Sequence, residues 1–203
     1  MSSSPPAGIG VLGSAFNPPH LGHLALAQEA LWQLGLEEVI LVPTGEAPHK
    51  RIADDPGREL RLAMTRLAAA DDSRFSVSTL EVEREGPSYT YETLELLAKD
   101  RPDKELVFVM GADAAVGLES WREPQRVTEL ARLGVARRAG ISDAEVAAVL
   151  RSLGAEGRAT MLEMSQFGVS SSAVRERAAA GRPLRYLVPE SVARFIEEKE
   201  IYR

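Results

Sequence analysis

The chain has 203 residues, is 44% hydrophobic and 27% charged, and carries a net charge of −6. That length suits one domain with a substantial core, and the acidic balance argues against broad nucleic-acid binding. Cysteine is absent, which removes disulfides, thiolate zinc sites and cysteine nucleophiles. No apolar run approaches the roughly 18 residues needed to span a bilayer.

In chain order, MSSSPPAG lacks the basic region and apolar core of a signal peptide. It reads as a disordered lead, residues 1–8, to a single domain over 9–203, with the cytoplasm as the default location. Ile9–Leu12 is an apolar run ending at Gly13, which predicts a buried strand. Over Leu24–Leu34, Leu24, Ala27, Leu31 and Leu34 share one helical face, Trp32 reads as packing, and Gly35 stops the helix. Glu37–Val42 holds a continuous β-branched run that fits a strand covered on both sides. Residues 43–57 read as loop, 58–70 as helix, Phe75–Val82 as strand and Tyr91–Lys99 as helix. Glu105–Met110 is a strong strand pattern ending at Gly111.

Beyond it the pattern predicts helices at 113–118 and 123–130, a strand at 133–137, a helix at 142–153 and a strand at 159–164. Two last helices, about 171–180 and 189–199, flank Gly181–Pro183 in a C-terminal helical part covering about 168–203. Alternating strands and helices with continuous apolar runs imply an α/β fold, a parallel sheet flanked by helices. Ligands of such folds sit at the carboxyl ends of the strands.

The candidate chemistry lies at those ends. GSAFNPPHLGH, Gly13 to His23, places two of the three histidines three residues apart where strand gives way to helix. Free amides and the positive end of a helix dipole attract phosphate there, and Gly22 leaves room for close approach. His20 and His23 can donate to phosphate oxygens and stabilise a transferring phosphoryl group; a metal pair or a helix cap is the alternative. PTGEAPHK, Pro43 to Lys50, is a solvated loop or, through Lys50, a phosphate contact. In GPSYTYETL, Ser88 and Thr90 stand where either could cap a helix. Asp113, after Gly111, either faces a substrate or caps the next helix. Trp121 has polar flanks unlike a core tryptophan. In GVSSSAVRERAAAG, Ser171, Ser172 and Arg175 form a second phosphate clamp or a serine-capped surface helix.

The first stretch resembles the opening GGxFDPxHxGH of the HxGH nucleotidyltransferases at Gly13, Phe16, Pro18, His20, Gly22 and His23. It departs at Ser14 and at Asn17, where the bacterial pattern usually has Asp. PTGEAPHK, SYTYET, VSSSAVR and the tail RYLVPESVARFIEEKEIY are similar to the bacterial nicotinate mononucleotide adenylyltransferases, so the likeness runs from about residue 9 to the end.

The resemblance implies a Rossmann-like nucleotidyltransferase fold and transfer of the adenylyl group of ATP to nicotinate mononucleotide in NAD biosynthesis. His20, His23, Lys50 and Arg175 would be catalytic. Gly13, Ser14, Phe16, Gly22, Ser171 and Ser172 would bind ATP phosphates. Asn17, His49, Ser88, Thr90, Gly111, Asp113 and Trp121 would hold nicotinate mononucleotide, with the Ser88–Thr93 amides on the nicotinate carboxylate and Trp121 stacked on the pyridine. Mg2+ would accompany ATP largely through phosphates and water, in keeping with the absence of an obvious carboxylate cluster; no protein metal ligand is expected, and Asn17, without a carboxylate, is not read as one. Neither a nucleic acid nor a membrane is expected as partner, and a homo-oligomer is left open. Three alternatives stand beside this reading: another adenylyl- or cytidylyltransferase of the superfamily, a non-catalytic nucleotide-binding protein, and a zinc hydrolase using the three histidines.

Overall fold

The structure, a computed structural model, describes residues 8–48, 52–165 and 167–203. Strand β1 (Ile9–Ser14) leads into helix α1 (Leu21–Leu34), β2 (Glu38–Pro43), α2 (Arg58–Ala69), β3 (Phe75–Val77), the single turn α3 (Leu80–Glu83) and α4 (Thr90–Asp100). There follow β4 (Leu106–Gly111), α5 (Ala112–Val116), a 3-10 turn at Leu118–Ser120, α6 (Pro124–Leu130), β5 (Ala131–Ala136), α7 (Asp143–Ser152), β6 (Ala159–Leu162), α8 (Ser171–Ala179) and α9 (Glu190–Glu198). One six-stranded sheet has the order β3-β2-β1-β4-β5-β6. The β1–β4, β4–β5 and β5–β6 pairs are parallel, as the alternating pattern predicts, and the strand order is the Rossmann-like one that the resemblance implies.

The described residues cluster into two compact units, one from 8–12, 26–40 and 89–165, the other from 13–25, 41–48, 52–88 and 167–203. In the first unit β4 is buried from Leu106 to Met110, as befits a strand covered on both faces. Leu133, Val135 and Leu162 of the neighbouring strands are buried with it. In the second unit Met64 and Ala68 of α2, Val174 and Ala178 of α8 and Val192 and Ile196 of α9 form one apolar cluster with Leu184, Val188 and Ile201. The i, i+4 spacing within each helix puts each pair on one face.

Two sequence expectations fail. The strand read over Phe75–Val82 ends at Val77, and Leu80–Glu83 is helical. The Ser78 hydroxyl accepts from the Leu80 amide at 3.3 Å and the Thr79 carbonyl from the Glu83 amide at 2.9 Å, so Ser and Thr turn the chain out of the ladder. Trp32 is 84% exposed rather than packed. It shares the outer stripe of α1 with Gln28, whereas Ala27, Ala30 and Leu31 face inward. Gly35 does end that helix, with φ of 63°, a conformation that costs glycine little. Among the described residues, no helix is long and apolar enough to cross a membrane.

Candidate active site

The second unit carries the turn between β1 and α1. His20 is nearly buried, and its ring stacks on that of His23 with centroids 3.8 Å apart and planes 30° apart. The His20 amide donates to His23 Nδ1 at 3.1 Å. A backbone N–H can only donate, so Nδ1 is the acceptor and the neutral ring carries its proton on Nε2. That Nε2–H is 3.3 Å from Ser14 Oγ. The Phe16 ring, fully buried, meets the His23 ring edge-on at 5.0 Å. His23 is therefore held by a backbone donor, a hydroxyl and two rings, with its tautomer set by the fold.

Two details of this turn differ from the sequence reading. The place where a β-carbon on Gly22 would stand is filled by the His20 ring at 3.1 Å and by Val169, so the glycine makes room for an imidazole rather than for a ligand. The helix start is also less open than expected. The Leu21 amide donates to the Leu187 carbonyl at 2.9 Å, and the His23 and Leu24 amides donate to the His20 carbonyl at 2.9 and 3.4 Å.

Asn17 is 2% exposed, and both ends of its amide are used. Nδ2 donates to the Ala53 carbonyl at 2.7 Å, and Oδ1 accepts from the Tyr202 hydroxyl at 2.6 Å. A carboxylate could accept from the tyrosine but could not donate to Ala53. Burial pushes the Tyr202 phenol above its usual range, so it stays a donor. The Arg175 guanidinium reaches the Asn17 carbonyl at 3.0 Å, Ser172 Oγ at 3.3 Å and the Asp54 carboxylate at 3.2 Å. The Ser171 hydroxyl donates to the Pro18 carbonyl at 2.9 Å. Ser170, one residue earlier than the pair singled out, is the actual cap of α8, accepting from the Ala173 amide at 3.2 Å. Asn17, Thr44, Ile52, Ser171, Ser172 and Arg175 line a cavity of about 320 Å³. His49 and Lys50 lie outside the described residues, as do residues 1–7 of the expected lead.

Ser88 also belongs to the second unit. Its amide donates to the Glu46 carbonyl at 2.8 Å, and its buried hydroxyl has no hydrogen-bond partner among the described residues. Neither Ser88 nor Thr90 caps α4: the cap position is Tyr89, and Thr90 is the first helical residue. A β-carbon on Gly45 would collide with the Glu81 carbonyl, so that loop backbone runs tight against its neighbour.

The first unit carries the remaining candidates. Gly111, at the end of β4, is the cap of α5, and Asp113 stands inside the first turn. The Asp113 carboxylate faces Arg138 Nε at 3.5 Å, both side chains being more than half exposed. Trp121, half-buried, meets the Phe108 ring edge-on at 6.0 Å. The Arg122 guanidinium lies 6.0 Å from the Tyr89 ring centroid, a weak cation–π contact at an exposed position.

The sequence reading passed over Arg61, Asp54, Asp55 and Tyr202. Arg61, on α2, is fully buried; it donates to the Ala15, Thr44 and Gly45 carbonyls and to Asp55. Its signal was present: Arg61, Met64, Thr65 and Ala68 occupy i, i+3, i+4 and i+7 and are all buried. No local pattern announces Tyr202, which lies 185 residues from Asn17.

The sequence profile of the cytidylyltransferase-like family matches residues 11–177. A protein of Symbiobacterium thermophilum named "probable nicotinate-nucleotide adenylyltransferase" is 43% identical over 198 residues, spanning 97% of this chain and 95% of its own. One of the same name from Roseiflexus sp. (strain RS-1) is 42% identical over 203 residues, the whole of both chains. The Plasmodium falciparum nicotinic acid mononucleotide adenylyltransferase complexed with NaAD superposes with a TM-score of 0.77 over 97% of each chain at 15% identity, a likeness of fold.

Proposed function

We propose that this chain, which belongs to the cytidylyltransferase-like family and within it to the nicotinate-nucleotide adenylyltransferases, joins ATP and nicotinate mononucleotide in NAD biosynthesis. The products are nicotinate adenine dinucleotide and pyrophosphate. The observation that carries the reading is the stacked His20–His23 pair, locked at the end of β1 in the same unit as the Ser171–Arg175 cavity.

An oxygen of the mononucleotide 5′-phosphate attacks the α-phosphorus of ATP in line. The new P–O bond forms as the bond to the β,γ-pyrophosphate breaks, and the leaving oxygen takes the electron pair. No covalent intermediate is needed, so catalysis is positioning and charge stabilisation. The Nε2–H of His23, oriented before the nucleotide arrives, exchanges its 3.3 Å contact with Ser14 Oγ for a phosphate oxygen, and His20 supplies its neighbour. Lys50 and Arg175 neutralise the triphosphate and the departing pyrophosphate; Arg175 exchanges its Asp54 partner for phosphate. Gly13, Ser14, Phe16, Gly22, Ser171 and Ser172 shape the phosphate end. Asn17 keeps the turn closed beside the acceptor, and His49, Ser88, Thr90, Gly111, Asp113 and Trp121 are assigned to nicotinate mononucleotide.

Among the described residues no three His, Cys, Asp or Glu side chains converge into a metal cage. Mg2+ would enter with the triphosphate, and there it would supply positive charge to the leaving group. Cytoplasmic NAD synthesis is the setting that these substrates imply.

Pyrophosphate release from ATP, followed separately with nicotinate mononucleotide, nicotinamide mononucleotide and phosphopantetheine, tests the proposal. Release with nicotinate mononucleotide, and a dinucleotide of the matching mass, is the expected result. Binding of ATP without release from any acceptor, or release with phosphopantetheine alone, overturns it.

A further inference from the structure

We propose that Arg61 is a positioning residue for this reaction, fixing the Ala15 carbonyl and through it the orientation of the His23 imidazole. The inference rests on His23 being a phosphate-handling group and adds to it the element that holds it in place.

Arg61 is the largest fully buried side chain of the described residues. Burying a cation is costly unless it is paired and its N–H groups are bonded. Here Nε donates to Asp55 Oδ1 at 2.9 Å, Nη1 donates to the Ala15 carbonyl at 3.0 Å and to that of Thr44, and Nη2 donates to the Gly45 carbonyl at 3.0 Å. One planar fork thus ties the turn after β1, the loop after β2 and the segment before α2 to a single rigid helix. Only guanidinium has the donor count and fixed directions for this.

The Ala15 bond is the one that reaches the chemistry. Ala15 lies between Ser14, whose Oγ accepts from His23 Nε2–H, and Phe16, whose ring packs against the same imidazole. Phe16 has φ of 46°, a left-handed conformation that a bulky residue keeps only where its surroundings over-determine it. Ser14 is held from its other side, its carbonyl accepting from the Thr44 amide at 2.9 Å, and Arg61 holds the Thr44 carbonyl in turn. Loss of the fork frees the Ala15–Phe16 peptide to rotate, and two of the four groups that hold His23, the Ser14 hydroxyl and the Phe16 ring, move with it.

A double-substitution cycle tests this. Arg61→Lys keeps the charge and loses the fork; it is expected to lower kcat by about 100-fold, the loss a misplacement near 1 Å brings, with KM for both substrates changed little. In a His23→Ala background the same substitution should then cost less than about threefold, because the group it acts through is gone. Equal losses in both backgrounds overturn the proposal and leave Arg61 as fold support. Full activity of His23→Ala alone overturns the reading of His23, a separate failure. Side-chain 15N NMR of His23 provides a second readout: one Nε2–H tautomer in the unaltered protein and averaged signals in Arg61→Lys. Unchanged signals overturn the proposal. Should Arg61→Lys fail to fold by circular dichroism, Asp55→Asn, which leaves Arg61 and its three carbonyls in place, enters the same cycle. It is expected to show the same non-additivity at smaller size, and additive losses overturn the proposal.

Discussion

The two units treat their candidate residues differently. Among the described residues of the second unit the polar candidates around the β1–α1 turn are already engaged: His23 by an amide and a hydroxyl, Asn17 at both ends of its amide, Arg175 by three partners and Ser171 by a carbonyl. In the first unit Asp113 keeps one exposed partner at 3.5 Å, and Trp121 one edge-on ring contact. The contrast matches the work proposed for each set. Groups that stabilise charge at a reacting phosphorus gain most from being fixed before the substrate arrives. Groups that recognise an acceptor add affinity through contact area, and their side chains can settle when it binds.

The largest effect that sharpens this contrast is expected from His20→Ala, which should lower kcat for pyrophosphate release by about 10²–10³ if the group acts as a preorganised electrostatic contact. Retention of full rate would remove the second unit from the chemistry. Gly45→Ala comes next. The added methyl meets the Glu81 carbonyl, and thermal unfolding should show a loss of about 3 kcal/mol, the upper end of ordinary overpacking. Tyr202→Phe leaves the buried Asn17 Oδ1 without its donor, at a cost of about 1–2 kcal/mol in stability, with kcat falling several-fold. Trp121→Ala is the smallest and of the opposite kind: KM for nicotinate mononucleotide should rise about 2–10-fold, the worth of an aromatic contact, while kcat stays put. A fall in kcat with unchanged KM there would erase the division between the units.

Legibility in the sequence followed the range of the interactions. Val39–Val42 and Leu106–Met110 announced buried strands because an apolar run needs no distant partner to be recognised, and Gly35 marked a helix end through its own conformation. His20 and His23 stood out because a turn brings near neighbours together. The Ser78–Thr79 exit from β3 was overlooked because β-branched and aromatic residues around it satisfy a strand pattern equally well. Trp32 was misplaced because its size argued for packing while its stripe of the helix, shared with Gln28, pointed outward. Asn17 was the least readable. Its departure from Asp looked like a lost carboxylate, whereas its meaning lies in Ala53 and Tyr202, contacts 36 and 185 residues away.

The central claim, that fixed groups of the second unit perform the transfer while Asp113 and Trp121 of the first unit contribute to recognition of the acceptor, is tested most directly by single-turnover rapid quench at saturating ATP and nicotinate mononucleotide. The account predicts a chemical step slowed by about 10²–10³ in His20→Ala and unchanged in Trp121→Ala. Equal chemical rates in the two variants would contradict it.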